Sequence, residues 1–488
     1  MRFALRDAVA ALDAAKLLVE IRGKLPEFVE GISDDSRHVS NGYLFIAVRG
    51  SARDGHDYLD RAEELGAVAG MVEDASRTKL PVIVVREGRK AAAIAAGAAF
   101  GEPSRKLRMI GITGTNGKST TAGILRHLLD ESSARSASIG TLGVLLGTGG
   151  EVVPGGAELT TPGPVELQRV LRALVDRGVR TVAMEVSSHS LDQRRIDGLS
   201  FDAAVFTNLT RDHLDYHGTM EAYFAAKATL MDYVKPNGAA AINIDDDEWK
   251  ALPDSRRKIF FGKDASADVR ASGVRFSPSG SEWTVHYRDE AFPVSLPLIG
   301  DVNVHNALGA IAVGLTLGMP LKSLADCLSI LPQVPGRLEV ISTSPAVLRD
   351  YAHTPDAIER ALAAVRPFTA GRLILVFGCG GDRDRGKRPE MGEVAESGAD
   401  LVVITSDNPR TEDPEQILDD IESGMRRDNH IRIENRRAAI DRALSEAGEN
   451  DVVLLAGKGH ETYQILGTRK TPFDEKAVVS ELLSAMHP

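Results

Sequence analysis

The chain has 488 residues, of which 58 are Lys or Arg and 69 are Asp or Glu, so its formal charge at pH 7 is −11. Because contacts to nucleic-acid phosphates need clustered Lys and Arg, this acidic balance excludes a general nucleic-acid binder. Hydrophobic residues make up 43% and charged residues 26% of the chain, which is typical of folded globular proteins. A chain of this length is expected to form about three domains.

Cysteine content and apolar runs indicate the compartment. Cys327 and Cys379 form no CxxC pair, so neither a disulfide framework nor a zinc site is indicated. Such cysteine usage is typical of the reducing cytoplasm. Residues 1–16 lack the apolar core of a signal peptide, and the small apolar residues of 91–100 are too few to cross a bilayer. We therefore expect a cytoplasmic protein without membrane insertion.

The first predicted domain covers residues 1–104. Short apolar runs predict strands at 43–48, 67–73 and 81–85, and helical spacing predicts a helix at 57–66. Gly and Pro at residues 101–104 predict a linker.

Strands and helices alternate in the second predicted domain, residues 105–334, which favours a parallel sheet. The predicted strands lie at 107–113, 181–188, 203–209 and 239–244, and the predicted helices at 120–131 and 165–178. Residues 265–300 have short alternating segments and turn residues, which predict a small antiparallel excursion.

Residues 335–488 predict a third domain of Rossmann-like type. Its predicted strands, 372–378, 401–406 and 451–457, are each followed by a polar loop. In open α/β sheets ligands bind beyond the carboxyl ends of the strands, so these loops are candidates for a binding site.

A glycine-rich loop at residues 111–119 joins a predicted strand to a predicted helix. Glycines let backbone N–H groups approach phosphate oxygens, and a helix N-terminus favours anions. Lys118 is expected to reach the β- and γ-phosphates, and Ser119 to offer its hydroxyl to Mg²⁺. The strict GxxxxGK[ST] pattern requires Gly at position 112, where this chain has Ile112. A purely structural turn is the alternative.

Three further residues are candidates for metal chemistry. Glu185 ends a predicted strand and His213 follows another, and a carboxylate and an imidazole at adjacent strand ends can hold a divalent cation. The alternative is that both residues cap or pack. Lys227 lies in a helical pattern, and from spacing alone a solvated lysine is favoured.

The segment TGTNGKST, residues 113–120, resembles the ATP loop of the Mur ligase family, and matching motifs cover the whole chain. The resemblance implies an α/β fold of three-domain Mur ligase architecture. A precursor-binding domain at 1–104 precedes a central P-loop, parallel-sheet ATPase domain at 105–334. A C-terminal Rossmann-like, amino-acid-binding domain follows at 335–488.

The resemblance also implies the residues of each site. The implied ATP-binding residues are Gly111, Thr113, Gly114, Thr115, Asn116, Gly117, Lys118, Ser119, Thr120, Asn303, Asn306, Arg337 and Asp350. The uridine-nucleotide precursor is assigned to Ser36, Thr160, Thr161, Ser187, Gln193 and Arg195. Diaminopimelate is assigned to Arg383, Asp407, Asn408, Pro409, Arg410, Gly457 and Glu461. The implied metal ligands are Ser119, Glu185, His213 and Lys227 as a carbamate, and the implied catalytic residues are Lys118, Lys227, Arg337 and His213.

The chemistry of the C-terminal motifs agrees with an amino-acid site. Two arginines, Arg383 and Arg410, could clamp a carboxylate, and Glu461 could take an ammonium group. The segment DNPR at 407–410 resembles the signature of family members that add meso-diaminopimelate. The alternative is a turn ahead of a helix.

The resemblance implies an ATP- and Mg²⁺-dependent amide ligase. Such an enzyme adds meso-2,6-diaminopimelate to the D-glutamate γ-carboxylate of UDP-MurNAc-L-Ala-D-Glu through an acyl phosphate, in peptidoglycan precursor synthesis. We expect a monomer. The alternatives are a lysine-adding enzyme of the same branch, a folylpolyglutamate synthetase and a non-catalytic ATP-binding scaffold. The N-terminal motifs and DNPR argue against the first two, and Lys118, Lys227 and the metal candidates argue against the third.

Overall fold

The structure is a computed structural model that describes residues 2–50, 53–156, 159–277 and 279–486. Contacts divide the chain into two compact units, the first formed by residues 1–270 and 306–324 and the second by 271–305 and 325–488. None of the helices within the described ranges is long and apolar enough to cross a membrane.

The first unit begins with a small sheet covered by helices. Its strands are β1 (Phe3–Ala4), β2 (Leu18–Arg22), β3 (Phe28–Val29), β4 (Gly31–Ser33), β5 (Tyr43–Ile46), β6 (Ala67–Val72) and β7 (Val82–Val85), and its helices are α1 (Leu5–Ala14), α2 (Leu59–Glu64) and α3 (Gly88–Ala99). Strands β4, β5, β6 and β7 run parallel in that order, and β2 pairs antiparallel with β7. The predicted strands and helix of this region are confirmed within two residues. The predicted linker at 101–104 instead runs into a 3-10 turn, Pro103–Lys106.

A larger, mainly parallel sheet follows, as the alternation of elements predicts. Its strands are β8 (Arg108–Thr113), β9 (Ser136–Gly140), β10 (Gly143–Leu146), β11 (Glu151–Val153), β12 (Thr181–Glu185), β13 (Phe201–Phe206), β14 (Val234–Asn243), β15 (Arg257–Gly262) and β16 (Val269–Ser277). Their order is β11-β10-β9-β12-β8-β13-β14-β15-β16. Only β10 and β11 are antiparallel to their neighbours. Strands β12 and β13 therefore flank β8, and the loops after all three open at one edge.

Helices cover this sheet and bury an apolar core. They are α4 (Lys118–Leu128), α5 (Pro164–Asp176), α6 (Ser188–Asp192), α7 (Leu214–His217), α8 (Met220–Ala228) and α9 (Leu230–Tyr233). Helix α5 begins at a proline, which is suited to the first helical turn because its missing N–H has no partner there. Its apolar face packs into a core shared with Val182 and Ile139. Each of the four predicted central strands overlaps an observed strand, although β14 begins five residues before its predicted start and β12 and β13 each end three residues before their predicted ends.

The predicted antiparallel excursion is confirmed. Strands β17 (Gly280–Tyr287) and β18 (Glu290–Leu296) form an antiparallel hairpin in the second unit. Helices α10 (Asp301–Thr316) and α11 (Leu321–Leu328) follow along the chain.

The rest of the second unit is a sheet with helices on it. Its strands are β19 (Glu339–Thr343), β20 (Ala346–Asp350), β21 (Leu373–Phe377), β22 (Leu401–Ile404), β23 (His430–Arg432), β24 (Val452–Ala456), β25 (Tyr463–Leu466) and β26 (Arg469–Pro472). Its helices are α12 (Pro355–Val365), α13 (Lys387–Gly398), α14 (Pro414–Glu422), α15 (Arg436–Glu446) and α16 (Glu475–Met486). The main sheet has the order β19-β20-β24-β21-β22-β23, with only β19 antiparallel, and β25 pairs with β26 in a separate hairpin. Since β24, β21 and β22 are neighbours, the three predicted polar loops lie side by side.

Candidate active site

The glycine-rich loop joins β8 to α4, as its pattern predicts. Gly117 has φ +85°, and a Cβ there would lie 2.3 Å from Asn306 Oδ1. Gly114 has φ +147°, and a Cβ there would lie 1.9 Å from Thr207 Oγ1. Both the left-handed backbone and the lack of space require glycine at these two positions.

Lys118 is folded back over the loop. Its Nζ donates hydrogen bonds to the carbonyl oxygens of Gly114 at 2.9 Å and Thr115 at 2.8 Å. The ammonium group therefore lies at the point where the backbone of the loop turns. The motif predicts that this ammonium group meets a phosphate bound in the loop.

The segment after β13 holds the glycine-rich loop through hydrogen bonds. The sequence analysis did not predict this contact. Asn116 N donates to Asn208 Oδ1 at 2.9 Å, and Thr115 N donates to the Asn208 carbonyl oxygen at 2.7 Å. Thr207 Oγ1 donates to the Asn116 carbonyl oxygen at 2.6 Å. The available signal was the position of Thr207 and Asn208 directly after a predicted strand of the same sheet.

Lys227 is buried against the loop, so the solvated lysine favoured by spacing alone is wrong. Its side chain is 1% exposed, and its Nζ donates to the Gly114 carbonyl oxygen at 2.8 Å and lies 4.5 Å from the centre of the Tyr223 ring. Burial lowers the pKa of Lys227 well below its usual value, and the nearby Lys118 ammonium lowers it further. The structure thus favours a neutral amine beside the phosphate loop.

Glu185 lies at the end of β12 in a fixed orientation. Thr141 donates to both carboxylate oxygens, from its backbone N at 2.9 Å and from its hydroxyl at 3.3 Å. Gly140 leaves room for this carboxylate, because a Cβ there would lie 2.0 Å from Glu185 Oε1. Thr141 was not among the predicted residues.

His213 caps the start of α7 with φ +53°, on the other side of β8 from Glu185. The prediction that the two residues follow adjacent strands is therefore wrong, because β8 lies between β12 and β13. The side chain of His213 is 47% exposed. Its partial removal from solvent lowers its pKa, and Lys118 also disfavours its charged form, whereas Asp212 favours it. A neutral imidazole is the form that binds metal.

The donor groups around the loop fit a hard cation in part. In the described ranges, no group of three or more His, Cys, Asp or Glu side chains is placed to hold a metal ion. Glu185 and Ser119 supply the oxygen atoms that Mg²⁺ prefers. A cation here would complete its shell with water or with oxygen atoms of a bound nucleotide, which is how Mg²⁺ is commonly bound.

Five of the six predicted precursor residues belong to a chain of hydrogen bonds that reaches Glu185. Thr161 Oγ1 donates to the Glu185 carbonyl oxygen at 2.9 Å and accepts from Ser187 N at 3.1 Å. Arg195 donates to the Thr161 carbonyl oxygen at 3.0 Å and to Gln193 Oε1 at 2.6 Å. The other threonine of this pair, Thr160, contacts Thr141 through their hydroxyls at 3.2 Å.

The sixth predicted residue, Ser36, begins a 3-10 turn after β4. Two residues before it, Asp34 lies close to the start of helix α5, because a Cβ on Gly163 would lie 3.5 Å from Asp34 Oδ2. Partial removal of Asp34 from solvent raises its pKa, and the nearby Arg195 acts in the opposite direction. The N-terminal DDSR motif and the precursor residues of the central sheet therefore lie close together, and Asp34 was missed by sequence reasoning.

The two asparagines of α10 have different surroundings. Asn306 faces the phosphate loop at Gly117, and its Oδ1 accepts from Thr121 Oγ1 at 3.3 Å. Asn303 Nδ2 donates to the Ile299 carbonyl oxygen at 2.8 Å, a contact within the start of the helix. Asn303 therefore lies within the first turn of α10, and its side chain is bonded to the segment that precedes the helix.

Asp350 and Arg337 lie close together in the second unit. Leu338 N and Ala352 N donate to the two oxygens of Asp350 at 2.7 and 2.8 Å. Burial raises the pKa of Asp350, while Arg337 lowers it. The Arg337 guanidinium lies 4.9 Å from the centre of the Tyr351 ring. The carboxylate is therefore held by backbone N–H groups as well as by an adjacent cation.

The predicted amino-acid site is brought together at the carboxyl ends of β24, β21 and β22. A Cβ on Gly380 would lie 3.0 Å from Arg410 Nη1 and 3.7 Å from Arg383 Cγ, which places both arginines at one glycine. Asn408 Nδ2 donates to Glu461 Oε2 at 2.8 Å. A guanidinium pair and a carboxylate thus lie within one cluster of loops, where they can bind the two charged groups of an amino acid.

The remaining predicted residues of this site complete the same cluster. A Cβ on Gly457 would lie 3.3 Å from Asp407 Oδ2, so this glycine leaves space beside the carboxylate. Arg410, which follows Pro409, has φ +51°, an uncommon backbone conformation for a residue with a side chain. Its Nη1 donates to the Gly381 carbonyl oxygen at 2.6 Å.

Comparisons with known proteins identify the family of the chain. Family models match in three consecutive parts: the Mur ligase family, catalytic domain, over residues 28–103; the Mur ligase middle domain over 112–314; and the Mur ligase, glutamate ligase domain over 336–459. The chain is 45% identical to the UDP-N-acetylmuramoyl-L-alanyl-D-glutamate–2,6-diaminopimelate ligase of Synechococcus elongatus, with 92% of each chain covered. It is 42% identical to ligase 1 of that name from Clostridium acetobutylicum, over 96% of this chain and 97% of the relative.

A solved structure is similar over the same extent. A structure of a UDP-N-acetylmuramoyl-L-alanyl-D-glutamate–2,6-diaminopimelate ligase is 32% identical, covers 100% of both chains and superposes with a TM-score of 0.69. The predicted three-domain α/β fold is confirmed by these matches together. This chain belongs to the Mur ligase family.

Proposed function

We propose that this protein is the ATP-dependent ligase that joins meso-2,6-diaminopimelate to the D-glutamate γ-carboxylate of UDP-MurNAc-L-Ala-D-Glu. The observation that carries the proposal is the match to relatives with this activity in their names, over more than nine-tenths of both chains. The cluster of Arg383, Arg410 and Glu461 supports the same substrate, because diaminopimelate carries a second amino-acid group that can meet both charges.

The first step is the attack of the D-glutamate γ-carboxylate on the γ-phosphate of ATP, which gives an acyl phosphate and ADP. Lys118 stabilises the charge on the transferring phosphoryl group from its position over the loop. We assign the same role to Arg337. Catalysis of this kind depends on positioning and electrostatic stabilisation rather than on a protein nucleophile.

Mg²⁺ would neutralise phosphate charge when bound, and we assign its binding to Ser119, Glu185, His213 and carbamylated Lys227. Thr141 holds Glu185 in one orientation through two hydrogen bonds, which favours a ligand role over packing alone.

The surroundings of Lys227 support its carbamylation. The reaction requires a neutral amine, whose nitrogen bonds to the carbon of CO₂ with loss of one proton. Burial and the neighbouring Lys118 both lower the pKa of Lys227, so the neutral form is favoured. The carbamate that results is an anion next to Lys118, so it forms an attractive pair with that ammonium group.

The second step is the attack of an amine of diaminopimelate on the acyl phosphate carbonyl, with phosphate as the leaving group. Arg383 and Arg410 bind the carboxylate of the distal amino-acid group, and Glu461 binds its ammonium group. L-Lysine carries no second carboxylate, so the arginine pair discriminates against it.

The proposal is tested by phosphate release with ATP, Mg²⁺ and UDP-MurNAc-L-Ala-D-Glu, with either meso-diaminopimelate or L-lysine as acceptor. We expect release that requires the muramoyl substrate and is much faster with diaminopimelate. Equal or faster turnover with lysine would assign the protein to the lysine-adding branch. Turnover independent of the muramoyl substrate would refute the assignment, and no turnover with any acceptor would favour an ATP-binding scaffold.

We also propose domain boundaries at 104/105 and 334/335, a monomeric state and a cytoplasmic location. Relatives across nearly the whole chain and three consecutive family matches support the domain order. Light scattering coupled to size exclusion tests the monomer directly, against a chain mass of 52.3 kDa.

A further inference from the structure

Lys458 is a fully buried lysine in the loop after β24, and the proposed reaction gives it no role. Its side chain is 0% exposed, so it cannot contact a substrate in this arrangement. Lysine is rarely buried without a partner because removal of an ammonium group from water is costly. The bonds that compensate this cost therefore indicate what the residue does.

The three N–H donors of Lys458 match three acceptors. Its Nζ lies 3.3 Å from Asp407 Oδ1, 3.2 Å from Asn408 Oδ1 and 3.2 Å from Glu461 Oε2. All three partners belong to the group proposed to bind diaminopimelate. A single buried ammonium group thus joins the loop after β22 to the loop after β24.

The cluster is held from the opposite side by the hairpin of β25 and β26. Ile465 N donates to Asn408 Oδ1 at 3.0 Å, and Gln464 Nε2 donates to the Asp407 carbonyl oxygen at 2.9 Å. With Lys458 and Ile465 as donors, the Asn408 amide oxygen has both of its acceptor positions in use. The Asn408 side chain is therefore fixed in its orientation, and its Nδ2 is directed to Glu461.

The positive charge of Lys458 also offsets the negative charge of its carboxylate partners. Asp407 and Glu461 are two carboxylates in one cluster, and Lys458 balances one of their two charges. Asp407, Glu461 and Lys458 together carry a net charge of −1, so this part of the site can accept one substrate ammonium group. Without Lys458 the two carboxylates would repel each other, and one of them would be left without a cation.

We propose that Lys458 is a positioning residue for the amino-acid substrate, which sets the orientation of Asp407, Asn408 and Glu461 for a zwitterionic headgroup. The inference rests on the proposed function, since it concerns the same site. It adds a residue that acts through three others and sets the specificity for the acceptor.

The test compares K458M and K458Q with the wild-type protein and with K470M. Methionine removes the charge and the donors at similar length, and glutamine retains two N–H donors without the charge. Lys470 is an exposed lysine of the β26 strand, 4.4 Å from the centre of the Tyr463 ring, and provides the matched control. Phosphate release is measured with each of the three substrates varied in turn, and thermal denaturation is measured for every variant.

We expect the KM for diaminopimelate to rise about tenfold or more in K458M, because the charge-assisted hydrogen bonds of Lys458 are lost. The KM values for ATP and UDP-MurNAc-L-Ala-D-Glu should stay within about twofold, since these ligands have other sites. K458Q should lie between K458M and the wild type, and K470M should match the wild type. The preference for diaminopimelate over L-lysine should fall in K458M.

Three outcomes would overturn the inference: an unchanged KM for diaminopimelate, equal increases in all three KM values, or loss of folding in both variants of Lys458. The last would assign the residue to domain stability alone. Failure of the proposed function is a separate result, because it would appear in the wild-type protein, as phosphate release that does not require UDP-MurNAc-L-Ala-D-Glu or that is no faster with diaminopimelate than with L-lysine.

Discussion

Replacement of Arg410 by alanine is a direct test of the proposed acceptor site. The residue has φ +51°, and alanine has the same steric requirement for a left-handed backbone as arginine, so the change leaves backbone strain nearly unchanged. It removes the guanidinium group and its 2.6 Å hydrogen bond to the Gly381 carbonyl oxygen. Replacement by glycine would also relieve the backbone strain, so the effect of losing the guanidinium group could not be measured separately.

The expected size of the effect follows from the contacts that Arg410 can make. Its bond to Gly381 uses one of the five N–H donors of a guanidinium group, and others can bind a carboxylate. A hydrogen bond between charged partners contributes about 1.5–3 kcal/mol. Because about 1.4 kcal/mol corresponds to a factor of ten, the KM for diaminopimelate should rise about 10- to 150-fold.

The assay is steady-state phosphate release with each substrate varied in turn. The KM for ATP should stay within about twofold, and Arg410→Lys should recover only part of the affinity because an ammonium group lacks the planar fork. Arg437→Ala, which removes an exposed arginine paired with Glu481 on the same domain, is the matched control and should behave as wild type. Parallel increases in the KM for ATP and for diaminopimelate would refute the assigned role.

Four further substitutions, one of them a control, test other parts of the structure. Lys227→Ala should abolish most activity, and a short-chain carboxylic acid should restore part of it by replacing the carbamate; full activity without the acid would show that no carbamate is needed. Gly117→Ala should lower the free energy of unfolding by about 1–2 kcal/mol through its left-handed backbone and also raise the KM for ATP, because its Cβ would lie 2.3 Å from Asn306 Oδ1. Gly318→Ala is the control, because Gly318 has φ +87° and no atom within 4 Å of a Cβ placed there. It should lower the free energy of unfolding, measured by urea denaturation, without changing the KM for ATP. Glu412 has a pKa lowered to about 2 by hydrogen bonds from arginine, so its stabilising contribution is present above pH 4.5 and is lost as the pH falls towards 2. Glu412→Gln should therefore be less stable than wild type at pH 7, and the difference should shrink below pH 4.5; a constant difference would contradict this.

The parts of the fold that could be predicted are those encoded by local patterns. Buried strands such as β8 and β21 are continuous apolar runs, and the phosphate loop is a short contiguous motif between a strand and a helix. Strands β9 and β10 were missed because SASIG and GVLL are short and rich in small residues. They form strands because neighbouring strands bury them, and the local sequence gives no indication of that burial.

The burial of Lys227 could not be predicted from the local sequence. Helical spacing on α8 gives no sign of burial, and its bonding partner, Gly114, lies 113 residues away in the chain. The burial of Lys458 is similar, since its partner Asp407 is 51 residues away. A buried charge is decided by packing between distant segments, and its pKa follows from that packing.

The sequence by itself determined the order of the three α/β regions, the phosphate loop and the chemical types available at each candidate site. Those properties depend on contiguous residues, for which propensity and pattern are sufficient. The tertiary structure decided that β8 separates Glu185 from His213, that Asp34 reaches the central motifs and that Lys458 joins two loops of the acceptor site. Strand order and long-range packing bring these groups together, and neither is encoded in the spacing of residues along the chain.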